Sequence, residues 1–547
     1  MQGKSRLDRE LLDAGEMAGH LVPPGSVFAF LAEHRRGLFP DSFTADLFPS
    51  RTGRPSLPAD LVGSVLVLKE LYDLSDPQTA DALKFDIRWK VACGRSLTQM
   101  SFDPSVLVYW RKRIAASGRP DRVFDAVADV IAATGMLRGR RKRCVDSTVF
   151  DDAVATQDTV TQLVAAIRKV ARVVPGAAEV IARVCQLDYA RPGKPAIDWD
   201  DAAAKQGLVS DLVNDALTVL AALTGEDAPE RDTAAADALG LLALVAGQDV
   251  EPAEGSDGTD GRWRIARKVA PDRVISTVDT QARHTRKSKS KRRDGFRGHV
   301  AAEPETGLIT DCEMTMAAGP GSTDAENGVK MAARDRFRNA GDGAGPEPEA
   351  GTSADAGQEQ KQGAGLEVYG DSAYGSGEAR AAYRDAGHDT MIKPGPVRPA
   401  VPGGFTQDDF IAGEGNGTVT CPAGHTRPMS AATRTVTFGD ACAGCPLRQR
   451  CTTAKDGRSM RIHPHEGLLR AARAQARTEQ FKKAYPTRSA IERIIAWTAT
   501  QDGHRVKLRY IGTAKHDAWL HARCAAINLR TLLRHGLTRR DGAWALA

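Results

Sequence analysis

Apolar positions recur at three- and four-residue spacing from about residue 25 to 135, as in LVGSVLVLKELYDL and DRVFDAVADVIAATGM, which predicts a helical N-terminal section. Pro58 and Asp60 fit the start of one of its helices. The pattern then changes. Val145, Thr148, Val149 and Phe150 follow a basic run, and their β-branched and aromatic side chains predict a strand over 144–150. Residues 156–262 return to an Ala/Leu/Val-rich helical pattern and end in EPAEGSDGTDG. Strand patterns reappear at RVISTV (273–278), and FRGHVAAE and GLITDCEMTM flank the turn residues Pro304–Gly307, which predicts a hairpin.

A helix is expected from about Asp324. Residues 341–365 lack the apolar side chains that would offset ordering entropy and read as disordered. LEVYGDSAY (366–374) reads as a strand running into a loop, followed by a helix over 376–386 and a strand in HDTMIKP (388–394). Residues 400–465 are rich in Gly, Pro and Cys, and 466–535 are helical again. The order strand, hairpin, helix, strand, helix, strand, insertion, helix matches an α/β, RNase H-like catalytic core interrupted twice. It predicts an all-α N-terminal module (1–137), a core (138–155 and 264–400), a helical insertion (156–263), a Cys-rich insertion (401–465) and a C-terminal helical part of the core (466–547).

Charge sharpens this picture. The 547-residue chain has a formal net charge of +6, but residues 156–262 hold nine Lys/Arg against eighteen Asp/Glu, so the remainder carries +15. Basic side chains therefore concentrate outside the insertion and point to a polyanionic partner. Two runs stand out: RGRRKR (138–143), with Arg140, Arg141, Lys142 and Arg143, and RHTRKSKSKRRDGFR (283–297), with Arg286, Lys287, Lys289, Lys291, Arg292 and Arg293. Both flank expected core strands, which favours phosphate contact over a merely solvated loop. No stretch approaches the roughly 20 apolar residues that span a bilayer. The start lacks an apolar h-region, so no signal peptide is expected and the expected location is the cytoplasm.

Three carboxylates occupy unusual settings. Asp146 sits inside an apolar strand, where an unpaired carboxylate is costly. Asp371 ends an apolar strand, the place where open α/β sheets put their sites. Glu492 shares a helix face with Arg488 and Ile495. Carboxylates gathered on core-facing elements repel one another unless cations neutralise them, and hard oxygen donors select Mg²⁺ or Mn²⁺. A separate cluster, Cys421, Cys442, Cys445 and Cys451, includes a Cys-x₂-Cys of zinc-knuckle spacing and reads as a structural Zn²⁺ site, with His425 able to replace one cysteine.

These pieces resemble DDE transposases of bacterial insertion sequences, in particular the family numbered 1182, related to families 4 and 5. The resemblance rests on residues 53–94 with 102–114, on CVDSTVF, on 273–309, on VYGDSAYGSGEARAAYRDAGHDTMIKP, on YPTRSAIER, and on 504–533. It implies that Asp146, Asp371 and Glu492 ligate Mg²⁺ or Mn²⁺. It also implies that Tyr485 and Arg488 contact transposon-end DNA or orient Glu492, and that the N-terminal module, including Arg111, Lys112 and Arg113, reads terminal inverted repeats, with Trp110 in the core. The implied activity is hydrolysis of a phosphodiester at the transposon end and strand transfer into target double-stranded DNA by a dimer or larger homo-oligomer, in a bacterial, nucleoid-associated setting. One departure is Ala499, where related transposases carry a DNA-contacting lysine. The alternatives are an inactive DNA-binding derivative and a metal-dependent nuclease without strand transfer.

Overall fold

The strand expected around Asp146 runs over Lys142–Asp151 (β1). It belongs to a computed structural model that describes residues 1–5, 12–50, 52–224, 232–268, 270, 272–288, 291–338, 365–413 and 417–547. Before β1 come helices that include Val27–Leu38 (α1), Ala59–Leu71 (α2) and Arg122–Thr134 (α3). After it, Thr159–Val173 (α4), Ala177–Val184 (α5), Ala202–Leu223 (α6) and Thr233–Gln248 (α7) form the insertion.

The chain then returns to the sheet through Arg283–Ser288 (β2), Lys291–Ala302 (β3) and Ile309–Met316 (β4). Helix Asp324–Ala333 (α8) precedes strand Glu367–Gly370 (β5), and helix Gly377–Asp385 (α9) precedes strand Asp389–Ile392 (β6). Helices Ala490–Ala499 (α10) and Thr513–Arg534 (α11) close the core. The expected disordered tract lies outside the described residues, apart from Gly365.

The main sheet runs β4–β3–β1–β5–β6. The first three strands are antiparallel neighbours, whereas β5 and β6 are parallel to β1. Strand alternation sorts the side chains into two layers. Cys144, Val300 and Tyr369 face α10, α11 and the N-terminal helices, while Val145, Ala301 and Val368 face α8 and α9. Helix α11 packs against β4, α2 and α3, so the N-terminal helices and the sheet share one hydrophobic core. Every residue of α2 is buried in it, Asp60 included, and Arg35 neutralises that carboxylate at 3.2 Å. Trp110 is buried here as expected.

The insertion has a separate core of residues such as Leu163, Ile167, Leu212, Val219 and Leu242. Residues 400–465 form short paired strands around Phe410, Val419, Val436 and Phe438. Among the described residues no helix is long and apolar enough to cross a membrane.

One expected strand does not form. Residues 273–278 make a single bridge, Val274 to Arg283. Their backbone groups are taken instead by side-chain amides and the backbone of the insertion. Val274 accepts from Gln162 Nε2 at 2.9 Å and Gln248 Nε2 at 3.0 Å, Ile275 accepts from the Gln157 amide at 2.8 Å, and the Thr277 amide donates to Gln157 Oε1 at 2.8 Å. The apolar pattern of RVISTV thus reflects a seam between insertion and core, not a ladder.

Candidate active site

The segment 485–499 reaches all three sequence-derived carboxylates. Its side chains lie on the Cys144 face of the sheet, which is also the face of Asp146 by strand parity. Arg488 Nη2 donates to Asp146 Oδ2 at 2.9 Å, and Nη1 donates to Glu492 Oε1 at 3.2 Å. The Tyr485 hydroxyl donates to the carbonyl of Gly370 at 3.3 Å, one residue before Asp371. Asp371 itself follows the end of β5 and accepts from the amide of Ala373 at 2.9 Å. β5 pairs in parallel with the first residues of β1, Cys144 opposite Tyr369, so Asp371 leaves its strand at the level of Asp146.

The electrostatics are those of a partly buried acidic site bridged by one cation. The Asp146 side chain is 18 % exposed and Arg488 17 %, whereas Glu492 is 65 % exposed. Burial, aided by the charges of Asp371 and Asp324, pushes the Asp146 carboxyl up to about 6, against the pull of the Ser147 amide and Arg488. The guanidinium of Arg488 therefore stands where a cation is needed, between two carboxylates. Their donor type suits Mg²⁺ or Mn²⁺, but with Arg488 between them the three carboxylates do not lie within 4.8 Å of one another.

A fourth carboxylate, Asp324, escapes sequence reasoning. Ser147 points to the opposite face of β1 from Asp146, and its hydroxyl donates to Asp324 Oδ1 at 2.7 Å, while Arg297 Nη1 lies 3.0 Å from Oδ2. The sequence signal at this point, the capping box Thr323–Glu326, marks a helix start and says nothing of the carboxylate inside it. His299, fully buried beside Asp324, is held neutral by burial, which drives its pKa down to about 3.

The two basic runs part company. β3 is antiparallel to β1, with Asp146 opposite Val300 and Asp151 opposite Gly295, so residues 283–288 and 291–294 project as a β2–β3 arm beyond the C-terminal end of β1. At about 3.3 Å per residue the arm reaches roughly 30 Å from the level of Asp146. Arg286 and Arg292 are exposed and face each other across it. Arg293 pairs with Asp151 at 3.0 Å. Lys289 lies outside the described residues, as do the side chains of Lys287 and Lys291.

Residues 138–143 enter β1 from its other end, with Arg143 three residues before Asp146. Arg143 is 1 % exposed and bonds Asp335 at 2.5 Å, so it has no surface to offer a phosphate. Arg140 bonds Glu305, Lys142 lies 3.4 Å from Glu305, and Arg141 bonds the carbonyl of Gly365. In the N-terminal section Arg111 is held by Asp76, and Arg113 donates to the carbonyl of Leu47 at 2.6 Å, while Lys112 is exposed. Ala499, at the end of α10, is buried.

Cys421, Cys442, Cys445 and Cys451 line one cavity of about 20 Å³ with His425. The amide of Arg458 donates to Cys442 Sγ at 3.4 Å. Burial and the three neighbouring cysteines push the Cys451 thiol up. By donor type the set suits a soft cation, but no three of these ligand atoms lie within 4.8 Å of one another.

Among the described residues, a metal-capable group with all ligand atoms within 4.8 Å of one another is found elsewhere, at Asp121, Asp517 and His521. There the imidazole Nδ1 contacts the Asp517 carbonyl at 3.0 Å, and the carboxylates of Asp517 and Asp121 raise its pKa in spite of burial. The ring ties the start of α3 to α11.

Residues 420–533 match the family described as "Transposase DDE domain", and residues 19–113 match "Transposase domain (DUF772)". The first contains Glu492 and the cysteines; Asp146 and Asp371 lie outside both. A relative from Rhizobium meliloti, "Uncharacterized protein ORF8 in nfe locus", is 28 % identical over 160 residues, covering 28 % of this chain and 72 % of that protein. No solved structure matches the chain. Two separate transposase matches, one at each end of a mixed α/β chain, support a transposase, an enzyme class that acts on DNA with divalent metal.

Proposed function

We propose that the chain is a DDE transposase with an RNase H-like core whose catalytic residues are Asp146, Asp371 and Glu492, and that it cleaves transposon ends and joins them to target DNA. The observation that carries this reading is the Arg488 bridge. One guanidinium holds Asp146 and Glu492, which are 346 residues apart in the sequence, on the sheet face where Asp371 also emerges. The strand order β4–β3–β1–β5–β6, antiparallel then parallel, supports the RNase H-like assignment.

The three carboxylates would hold Mg²⁺ or Mn²⁺, which when bound supplies charge neutralisation at the scissile phosphate. The chain's own groups do the rest. Arg488 releases its carboxylates and becomes available to a phosphate or to Tyr485. The β2–β3 arm meets the DNA backbone. Arg286 and Arg292 lie directly opposite each other, and like charges so placed cost stability unless an anion joins them. Water displaces the 3′ oxygen at the transposon end, and the freed 3′-OH displaces the corresponding oxygen of a target phosphodiester. Positioning and charge supply most of the acceleration. Cys421, Cys442, Cys445 and Cys451 would hold a structural Zn²⁺, with no part in this chemistry. The acting species is a homo-oligomer that pairs two ends.

The test is a labelled transposon end incubated with target plasmid and Mg²⁺. Joined product is expected from the wild type and none from Asp146→Ala or Glu492→Ala, with DNA binding kept. Normal cleavage by either variant sinks the assignment. Cleavage without joining identifies a nuclease, and binding alone identifies an inactive derivative.

A further inference from the structure

The insertion is acidic as a whole, yet its charge is segregated. Residues 168–194 carry six Lys/Arg against two Asp/Glu, whereas residues 195–262 carry three against fifteen. The positive part is α4, α5 and the loop after them. On α4, Ala165, Arg168, Lys169, Arg172 and Val173 share one face by helical spacing. That face forms one wall of a groove of about 550 Å³, whose other wall is Thr277 and Val278. The groove is built, not incidental. Gln157 fixes Thr277 through two hydrogen bonds of 2.8 and 3.0 Å, and the Arg168 guanidinium is anchored on the carbonyl of Tyr189 at 3.0 Å.

Among the described residues, no carboxylate pairs with Lys169 or Arg172, although eighteen Asp/Glu lie within the same insertion. The groove also adjoins the basic arm. Its wall continues through the Val274–Arg283 bridge directly into β2. The seam is rigid on the core side too: Asp279, buried, accepts from the amide of Gly512 at 2.9 Å at the start of α11.

We propose that the groove between α4 and residues 277–278 binds the phosphate backbone of double-stranded DNA through Lys169 and Arg172, so that the track of the β2–β3 arm continues onto the insertion. The occupant follows from charge complementarity and from continuity with the arm. Most acidic residues of the insertion lie in the segments that flank α6 and α7, such as 198–201 and 249–260, and these repel DNA. This inference rests on the transposase reading above and extends it to a surface that net charge alone would exclude.

The experiment measures affinity of the full chain for a labelled duplex of mixed sequence across a series of salt concentrations. Two phosphate contacts contribute about 1.8 to the slope of log K against log salt. Lys169→Gln/Arg172→Gln is expected to lower the slope by that amount, uniformly across sequences. Lys205→Gln, which removes one positive charge from α6, is expected to leave it unchanged. Arg286→Gln/Arg292→Gln on the arm provides the separate check on DNA binding itself. If the arm variant lowers the slope and the groove variant does not, the groove inference fails while the transposase reading stands. If the wild type binds no DNA, both fail. If the groove variant leaves DNA binding intact but abolishes self-association in light scattering, the groove takes the acidic face of a second copy, and the inference is overturned.

Discussion

Asp146→Asn should make the metal-free protein more stable at neutral pH while abolishing its chemistry. Burial and neighbouring carboxylates raise the Asp146 carboxyl from its ordinary 3.8 to about 6 in the folded chain. A raised carboxyl pKa is a penalty that appears as pH climbs. Below pH 4 the group is protonated folded or unfolded and costs nothing. Between about 4 and 6 the unfolded chain ionises first, and above 6 the folded chain carries the full cost. A rise of that size corresponds to about 3 kcal/mol. Because that value already includes the pull of Arg488, the expected gain from asparagine is about 3 kcal/mol at pH 7.5, shrinking to nothing by pH 4. Urea denaturation with chelator present, at both pH values, measures it. Added Mg²⁺ should reverse the order, because the wild type alone keeps its full ligand set and gains by linkage. A variant less stable than wild type at pH 7.5, or a gap that does not change with pH, would refute the electrostatic account of the site.

Further outcomes follow from other parts of the structure. Asp335→Ala strands the buried Arg143 guanidinium and is expected to cost about 3–5 kcal/mol, read as a drop in denaturation midpoint; replacing both partners by apolar residues should recover most of it. Cys442→Ser should lower zinc content measured by atomic absorption and open residues 400–465 to proteolysis, and four titratable thiols with no zinc in the wild type would end the zinc proposal. Gly295→Ala should destabilise the arm: the added Cβ would lie 2.0 Å from the carbonyl oxygen of Phe150 at a φ of +152°, and faster hydrogen exchange at 283–294 is the expected readout.

Much of this was legible in local pattern. Strand β1, the 296–316 hairpin, α8 and the helices around the core all follow from hydrophobic periodicity and turn chemistry, because burial of one face imposes a period of 2 or 3.6 whatever the partner is. Asp146 and Asp371 drew notice for a related reason: a carboxylate in an apolar strand needs compensation somewhere. What the sequence does not hold is the identity of partners far along the chain. RVISTV has the composition of a strand, but Gln157, Gln162 and Gln248 supply its hydrogen bonds, and nothing local announces that. RGRRKR and the 283–297 run look alike as strings, yet strand direction puts one at each end of β1 and buries Arg143 against Asp335. Asp324 is an ordinary helix-start residue until folding brings Ser147 and Arg297 to it. Charge counting gave the insertion a single sign, while its folding gathers Arg168, Lys169 and Arg172 on one face of α4. Composition and period are properties of a segment. The sign of a surface, the partner of a buried charge and the meeting of Asp146 with Glu492 through Arg488 are properties of which segments touch, and only the tertiary structure decides them.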